Sequence, residues 1–214
     1  MTDRAAFYID GFNLYHALAN LDEPHLKWLD LWSLGNLLIP THSETLVKVV
    51  YCSAFATHMP ERMVRHREYV AALKTNGVDC VMGNFKKKSP VRCNGCQRTW
   101  QNHEEKESDV NLAIHMIDDA HMDVFDHAYL VTSDSDLAAA TKMFRRRFPN
   151  KKITSVAPPN RRHAGAIAQY ANQKIALKKT QLEKCLFPEK IMKTDGRLVA
   201  ERPAQYIPPF LSED

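Results

Sequence analysis

The sequence predicts an α/β fold, a doubly wound and mainly parallel sheet with helices on both faces. Short apolar, β-branched runs alternate along the chain with stretches of helical spacing, and parallel strands need a crossover that is usually a helix. Two of the apolar runs end abruptly in polar turns, Asp10-Gly11 and Thr132-Ser133-Asp134, each of which opens a helical stretch. The 214 residues, 44% hydrophobic and 25% charged, suffice for one globular domain with a full core.

Residues 6–9 form a first strand closed by Asp10-Gly11, and Phe12, Tyr15, Leu18 and Ala19 then fall at helical spacing. A helix over residues 29–38 is stopped by Pro40, and residues 46–55 read as a β-branched strand. Pro60 opens the next helix, which Asn76-Gly77 ends. A third strand at residues 78–82 leads into an irregular basic insertion, residues 84–105. From Glu107 the spacing of Val110, Leu112, Ala113, Met116, Ile117 and Ala120 is helical, and residues 128–131 form a fourth strand. Residues 137–148 return to helix, 153–157 to strand and 164–171 to a short helix. The domain is expected over residues 1–177, with residues 178–214, carrying Pro203, Pro208 and Pro209, as a tail that packs on it or stays extended.

No run approaches the roughly 18 uninterrupted apolar residues of a membrane span, and no basic and apolar leader precedes the first strand, so a cytoplasmic location without membrane partners is expected. Five cysteines, of which only Cys93 and Cys96 are closely spaced, speak against a disulfide framework and for a reducing compartment. A net charge of +4 permits a nucleic-acid partner without requiring one. No Gly-x-Gly-x-x-Gly follows a strand, and no flavin or haem signature is visible. The oligomeric state is open, a homodimer included.

In an open parallel sheet, ligands bind beyond the carboxyl ends of the strands. Asp10 closes the first strand, Asp134 and Asp136 follow the fourth, and Asp109 lies in the first turn of the helix after the third, so four carboxylates are expected on one rim. Their mutual repulsion would be offset by hard divalent cations, and Mg²⁺ or Mn²⁺ held by oxygen ligands can activate water for phosphodiester hydrolysis. Asn13, one turn beyond Asp10, is placed to orient a ligand or a water. Each acid taken alone also fits helix capping, a reading that suits Asp10 least.

Tyr8-Ile9-Asp10-Gly11-Phe12-Asn13-Leu14, Glu105-Lys106-Glu107-Ser108-Asp109-Val110-Asn111-Leu112-Ala113 and Thr132-Ser133-Asp134-Ser135-Asp136-Leu137 resemble, in order and spacing, the three signature blocks of the NYN domain, in its bacterial LabA-type branch. The resemblance covers roughly residues 5–172. It implies a PIN-like, Rossmann-type sheet and metal-dependent ribonuclease activity, with Asp10, Asp109, Asp134 and Asp136 as metal-site acids and Asn13 beside them. Some chains of this type carry the description of NADH-dependent hydroxypyridine monooxygenases, a competing expectation. An RNA-binding regulatory module without turnover is a third.

Cys93-Asn94-Gly95-Cys96 has zinc-knuckle spacing. With His103 it offers three ligands for a structural Zn²⁺, the fourth coming from Cys80, His121 or another chain; a plain turn with two free thiols is the alternative. Lys86, Lys87, Lys88, Arg92 and Arg98, with Trp100 among them, are expected on the acid side, where cations would follow RNA phosphates and the ring would stack a base; a solvated hairpin is the alternative. Arg161, Arg162 and His163 follow the fifth strand and belong to the same side. Arg145, Arg146 and Arg147 end a helix on the opposite side, and His115 and His121 read as ordinary surface or packing histidines.

Overall fold

Strand β1 (Asp3–Asp10) is the centre of the fold, buried on both faces, which is why its sequence reads as a continuous apolar run rather than an alternating one. Ala5, Phe7 and Ile9 point into one core cluster, Ala6 and Tyr8 into the other. The computed structural model describes residues 2–209. The end of the expected tail, residues 210–214, lies outside the described residues.

After β1 come α1 (Gly11–Ala19), α2 (Leu31–Leu38), β2 (Glu44–Ala54), α3 (Pro60–Thr75) and β3 (Asp79–Lys87). Next are β4 (Val91–Arg92), β5 (Thr99–Trp100), β6 (His103–Lys106), α4 (Ser108–His121) and β7 (His127–Val131). The chain continues through α5 (Ala138–Arg147), β8 (Lys152–Ala157), α6 (Gly165–Ala168), β9 (Gln173–Ala176), α7 (Lys179–Glu183), β10 (Lys190–Met192) and β11 (Leu198–Glu201). Seven strands make one sheet in the order β6-β3-β2-β1-β7-β8-β9. All neighbours are parallel except β6, which runs antiparallel to β3. The chain winds outward from β1 through β2 to β3, then returns to the other side of β1 through β7, β8 and β9. The expected doubly wound α/β sheet is therefore present, and its winding reverses between β1 and β7, the position where sheets of this kind bind ligands beyond the carboxyl ends of their strands.

The first core cluster holds residues of α1, α2 and α3, and the second those of α4 and α5. Gly11 allows the first turn of α1 to sit against β2: a Cβ there would lie 2.6 Å from the Tyr51 ring and 2.7 Å from the Cys52 carbonyl oxygen. Gly77 ends α3 at φ +83, the left-handed stop expected of Asn76-Gly77.

Two elements differ from the sequence reading. The third strand runs on to Lys87, because the expected irregular insertion is mostly hairpin: β6 folds back on β3 with Lys86 opposite Glu104, and β4 and β5 extend beyond it. A sixth parallel strand, β9, borders β8. Beyond it, Leu182, Cys185, Phe187, Ile191, Ala200 and Tyr206 all enter the first core cluster. The buried Trp28 donates from Nε1 to the Pro188 carbonyl at 2.8 Å, with its ring edge-on to Phe187.

Candidate active site

Ile9 pairs with Val131 in the parallel ladder, so the turns after β1 and β7 leave the sheet side by side. Asp10, 4% exposed, holds them together. Its Oδ1 accepts from the Asn13 N–H at 2.9 Å, capping α1, and its Oδ2 accepts from the Thr132 hydroxyl at 2.9 Å. Thr132 Oγ1 accepts from the Asp134 N–H at 3.0 Å, and Asp134 Oδ1 accepts from the Asp136 N–H at 3.0 Å. Asn13 Oδ1 receives the Ser133 N–H at 3.0 Å and the Ser133 hydroxyl at 2.9 Å. One continuous set of hydrogen bonds thus fixes where Asp134 and Asp136 stand.

Asp109 reaches the same rim from the first turn of α4. Asp109, Asp134 and Asp136 each bring a carboxylate oxygen within 4.8 Å of the other two, which no other trio of His, Cys, Asp or Glu does among the described residues. Burial raises the Asp109 carboxyl, and the charges of Asp10, Asp134, Glu105 and Asp136 raise it further, to about 6. Burial also raises Asp10, against the hydrogen bonds from Asn13 and Thr132 that favour its ionised form. A set of hard oxygen donors whose charges oppose one another fits a divalent cation of the Mg²⁺ or Mn²⁺ kind.

The sequence reading expects four acids on one rim, with Asp10 the one least explained by capping. The structure groups Asp109, Asp134 and Asp136, while Asp10 caps α1 and stands behind them with both oxygens engaged. Asn13 is turned to Ser133 and holds the β7 turn. Three contributors were missed. Thr132 and Ser133 carry the network, and Glu105, half-buried, accepts from the Ser108 N–H at 3.1 Å and from the Ser108 hydroxyl, fixing the start of α4. Glu105 stood in the quoted block, but the strand that brings it to the rim was read as irregular.

Across the sheet, beside α1, a cavity of about 290 Å³ opens between α1, α3 and the β3–β6 hairpin. Phe12 and Phe85 (5.5 Å between ring centroids) and His58 and His103 (3.9 Å, stacked within 3°) line it. Lys27, Arg62 and Arg65 line it as well.

The remaining expectations divide. Lys86, Lys87, Lys88, Arg92, Arg98 and Trp100 are exposed on the hairpins, with Lys88 ion-paired to Glu104 at 2.6 Å. Arg161 and Arg162 are exposed after β8; burial lowers the proton affinity of His16 of α1, and the charge of Arg161 lowers it further. Arg145 donates to the Lys151 carbonyl at 3.2 Å, just before β8, so the Arg145–Arg147 group sits at the opposite, amino end of the sheet. The zinc trio is not assembled. Cys93 and Cys96 lie in the turn at the tip of the β4–β5 hairpin, where neighbouring N–H groups lower the Cys93 thiol. His103 is at its base, stacked on His58. The two extra strands hold apart what seven residues of sequence seemed to place together.

This is a doubly wound α/β protein with a carboxylate trio at the point where its winding reverses. The NYN domain profile matches residues 4–178, and the chain belongs to that family, which is generally nuclease-like. It is 27% identical over 177 residues to the 6-hydroxy-3-succinoylpyridine 3-monooxygenase of Pseudomonas putida, a match covering 66% of this chain and 55% of that protein. It shares its fold with a protein of unknown function from Vibrio parahaemolyticus, at TM-score 0.54 and 17% identity, over 87% of this chain and 97% of that one. Among the described residues no helix is long and apolar enough to cross a membrane.

Proposed function

We propose that this chain is a metal-dependent ribonuclease that hydrolyses RNA phosphodiester bonds at the rim formed by Asp109, Asp134 and Asp136. The observation that carries the reading is the trio itself: three carboxylates from two stretches of the chain, the start of α4 and the turn after β7, within 4.8 Å of one another at the reversal point of the sheet. A Mg²⁺ or Mn²⁺ ion bound there would lower the pKa of a water and offset charge developing on the phosphoryl oxygens. Asp10 and Asn13 position Asp134 and Asp136 through Thr132 and Ser133, and Glu105 positions Asp109 through Ser108. Lys86, Lys87, Arg92, Arg98 and Trp100 on the hairpins, with Arg161 and Arg162, attract the phosphates and bases of a single strand toward the acids.

The test is cleavage of a labelled single-stranded RNA with Mn²⁺ or Mg²⁺, by the parent chain and by Asp134→Asn. Cleavage that needs the metal and falls by about 10²-fold or more in the variant is expected. Cleavage that survives Asp134→Asn in pure protein would sink the reading, and RNA binding with no turnover under any metal would assign a regulatory module. A second reading, oxidation of a hydroxypyridine, is favoured by the Pseudomonas putida relative together with the ring-lined, cation-bearing cavity beside α1. Hydroxypyridine-dependent NADH consumption by the purified chain would put it first.

A further inference from the structure

The cavity beside α1 takes no part in holding the acids, yet its walls have a definite chemistry. They carry Lys27, Arg62 and Arg65, four histidines and several aromatic rings, and no Asp or Glu. None of the three cations is ion-paired among the described residues. Arg62 and Arg65 come from α3 and Lys27 from the turn before α2, and burial lowers the proton affinity of Lys27, with the charges of Arg62 and Arg65 lowering it further. Cations gathered without a counter-ion call for an anion from outside. At the other end, the parallel His58–His103 stack and the Phe12–Phe85 pair offer flat apolar faces. His58 Nδ1 is buried with no hydrogen-bond partner, which leaves this wall of the cavity with an unsatisfied polar atom.

We propose that this cavity is a nucleotide pocket, which takes one planar heteroaromatic base against its rings and the attached phosphate against Lys27, Arg62 and Arg65. Its volume of about 290 Å³ admits one nucleotide and not a strand. The planar fork of Arg pairs with phosphate through two parallel hydrogen bonds, and aromatic faces accept any base. Phe12 follows Asp10 by two residues, so the pocket and the acid trio flank one turn on opposite faces of the sheet. If the nucleotide belongs to RNA, a clause that rests on the ribonuclease reading, its neighbour in the strand passes over the acid rim.

The test is calorimetric titration of the full chain with 5′-AMP in EDTA, where no cleavage is involved. Saturable binding is expected. It should weaken roughly tenfold or more when adenosine or ribose 5-phosphate replaces AMP, and again in Arg62→Gln/Arg65→Gln and, from a separate element, in Lys27→Gln, each checked for an unchanged melting temperature. Displacement of AMP by a short RNA assigns the pocket to a nucleotide of the strand, and AMP that is not displaced assigns it to a free mononucleotide; both support the pocket. Absent AMP binding, binding indifferent to all three cations, or tighter binding of nicotinate overturns the proposal. Because the titration needs no metal, lost cleavage leaves it intact, and intact cleavage without AMP binding strikes the pocket alone.

Discussion

Asp109 holds its proton to about 6, against an ordinary value of 3.8, because burial and the neighbouring acids oppose its charge. A native state that binds a proton more tightly than the unfolded chain loses stability as pH rises from the lower value to the higher, and the loss is complete above about 6. Asp109→Asn keeps the shape and removes that charge. At pH 8 in EDTA it should raise the melting temperature by about 2–4 °C while abolishing metal-dependent cleavage, an exchange of stability for activity typical of sites built on repulsion. A differential scanning measurement showing a lower melting temperature would remove the repulsion argument. The same proton competes with a cation. Below about 6, Mn²⁺ affinity should fall about tenfold per pH unit, and calorimetry at pH 5 and pH 8 giving equal affinities would take Asp109 out of the ligand set.

At the scale of elements, the hairpins between β3 and α4 separate two roles. The inner pair, β3 with β6, carries Glu105 to the rim and Phe85 to the cavity, whereas the outer pair, β4 with β5, is exposed along its length. Lys88 N–H bonds to the Asn102 carbonyl at 2.9 Å, so the ends of the outer hairpin are already adjacent. Replacing residues 89–101 by Asn-Gly closes the gap with a tight turn. The variant should melt as the parent does, but with Arg92 and Arg98 gone the slope of log affinity for single-stranded RNA against log salt should shrink by roughly 1.4. An unchanged slope would place RNA elsewhere. These hairpins are also where the sequence was least legible. Strands β1, β2, β7 and β8 could be read because they are largely buried and their pattern is set by the core, whereas β9, mostly exposed, could not, and Asp10, Asp109 and Asp134 could be read because each sits at a strand end or helix start. Val91, Arg92, Thr99 and Trp100 are exposed and carry no burial pattern, so local spacing suggested a Cys93-Cys96-His103 trio that strand pairing then pulled apart. The cavity was invisible for a different reason: its walls come from residues as distant as Phe12 and Tyr206, which only the finished fold brings together.

Across the whole molecule, the two ends of the sheet are built differently. At the amino end, Glu44 accepts from Tyr129 at 2.8 Å and pairs with His127 at 2.9 Å, and the other nitrogen of His127 meets Thr154 at 2.8 Å. These buried polar groups satisfy one another and stabilise the fold. At the carboxyl end neither the acid trio nor the cavity's cations has an ion-pair partner among the described residues. The tail bears on both ends because it completes the core under α2 and α3. The family match stops at residue 178, yet Leu182, Cys185, Phe187, Ile191, Ala200 and Tyr206 lie beyond it and pack with Trp28 and its neighbours. Asp30 donates its N–H to the Cys185 carbonyl at 2.7 Å, and Leu29 bridges to Leu186, so the segment before α2 is tied to the tail by backbone as well. Burying six such side chains is worth on the order of 10 kcal/mol, comparable to the entire net stability of a domain. A chain ending after Lys178 should therefore lose its cooperative thermal transition and expose Trp28 to solvent, visible as a red-shifted fluorescence. If it instead melts cooperatively within a few degrees of the full chain, the tail is an accessory, and the segment matched by the family folds unaided.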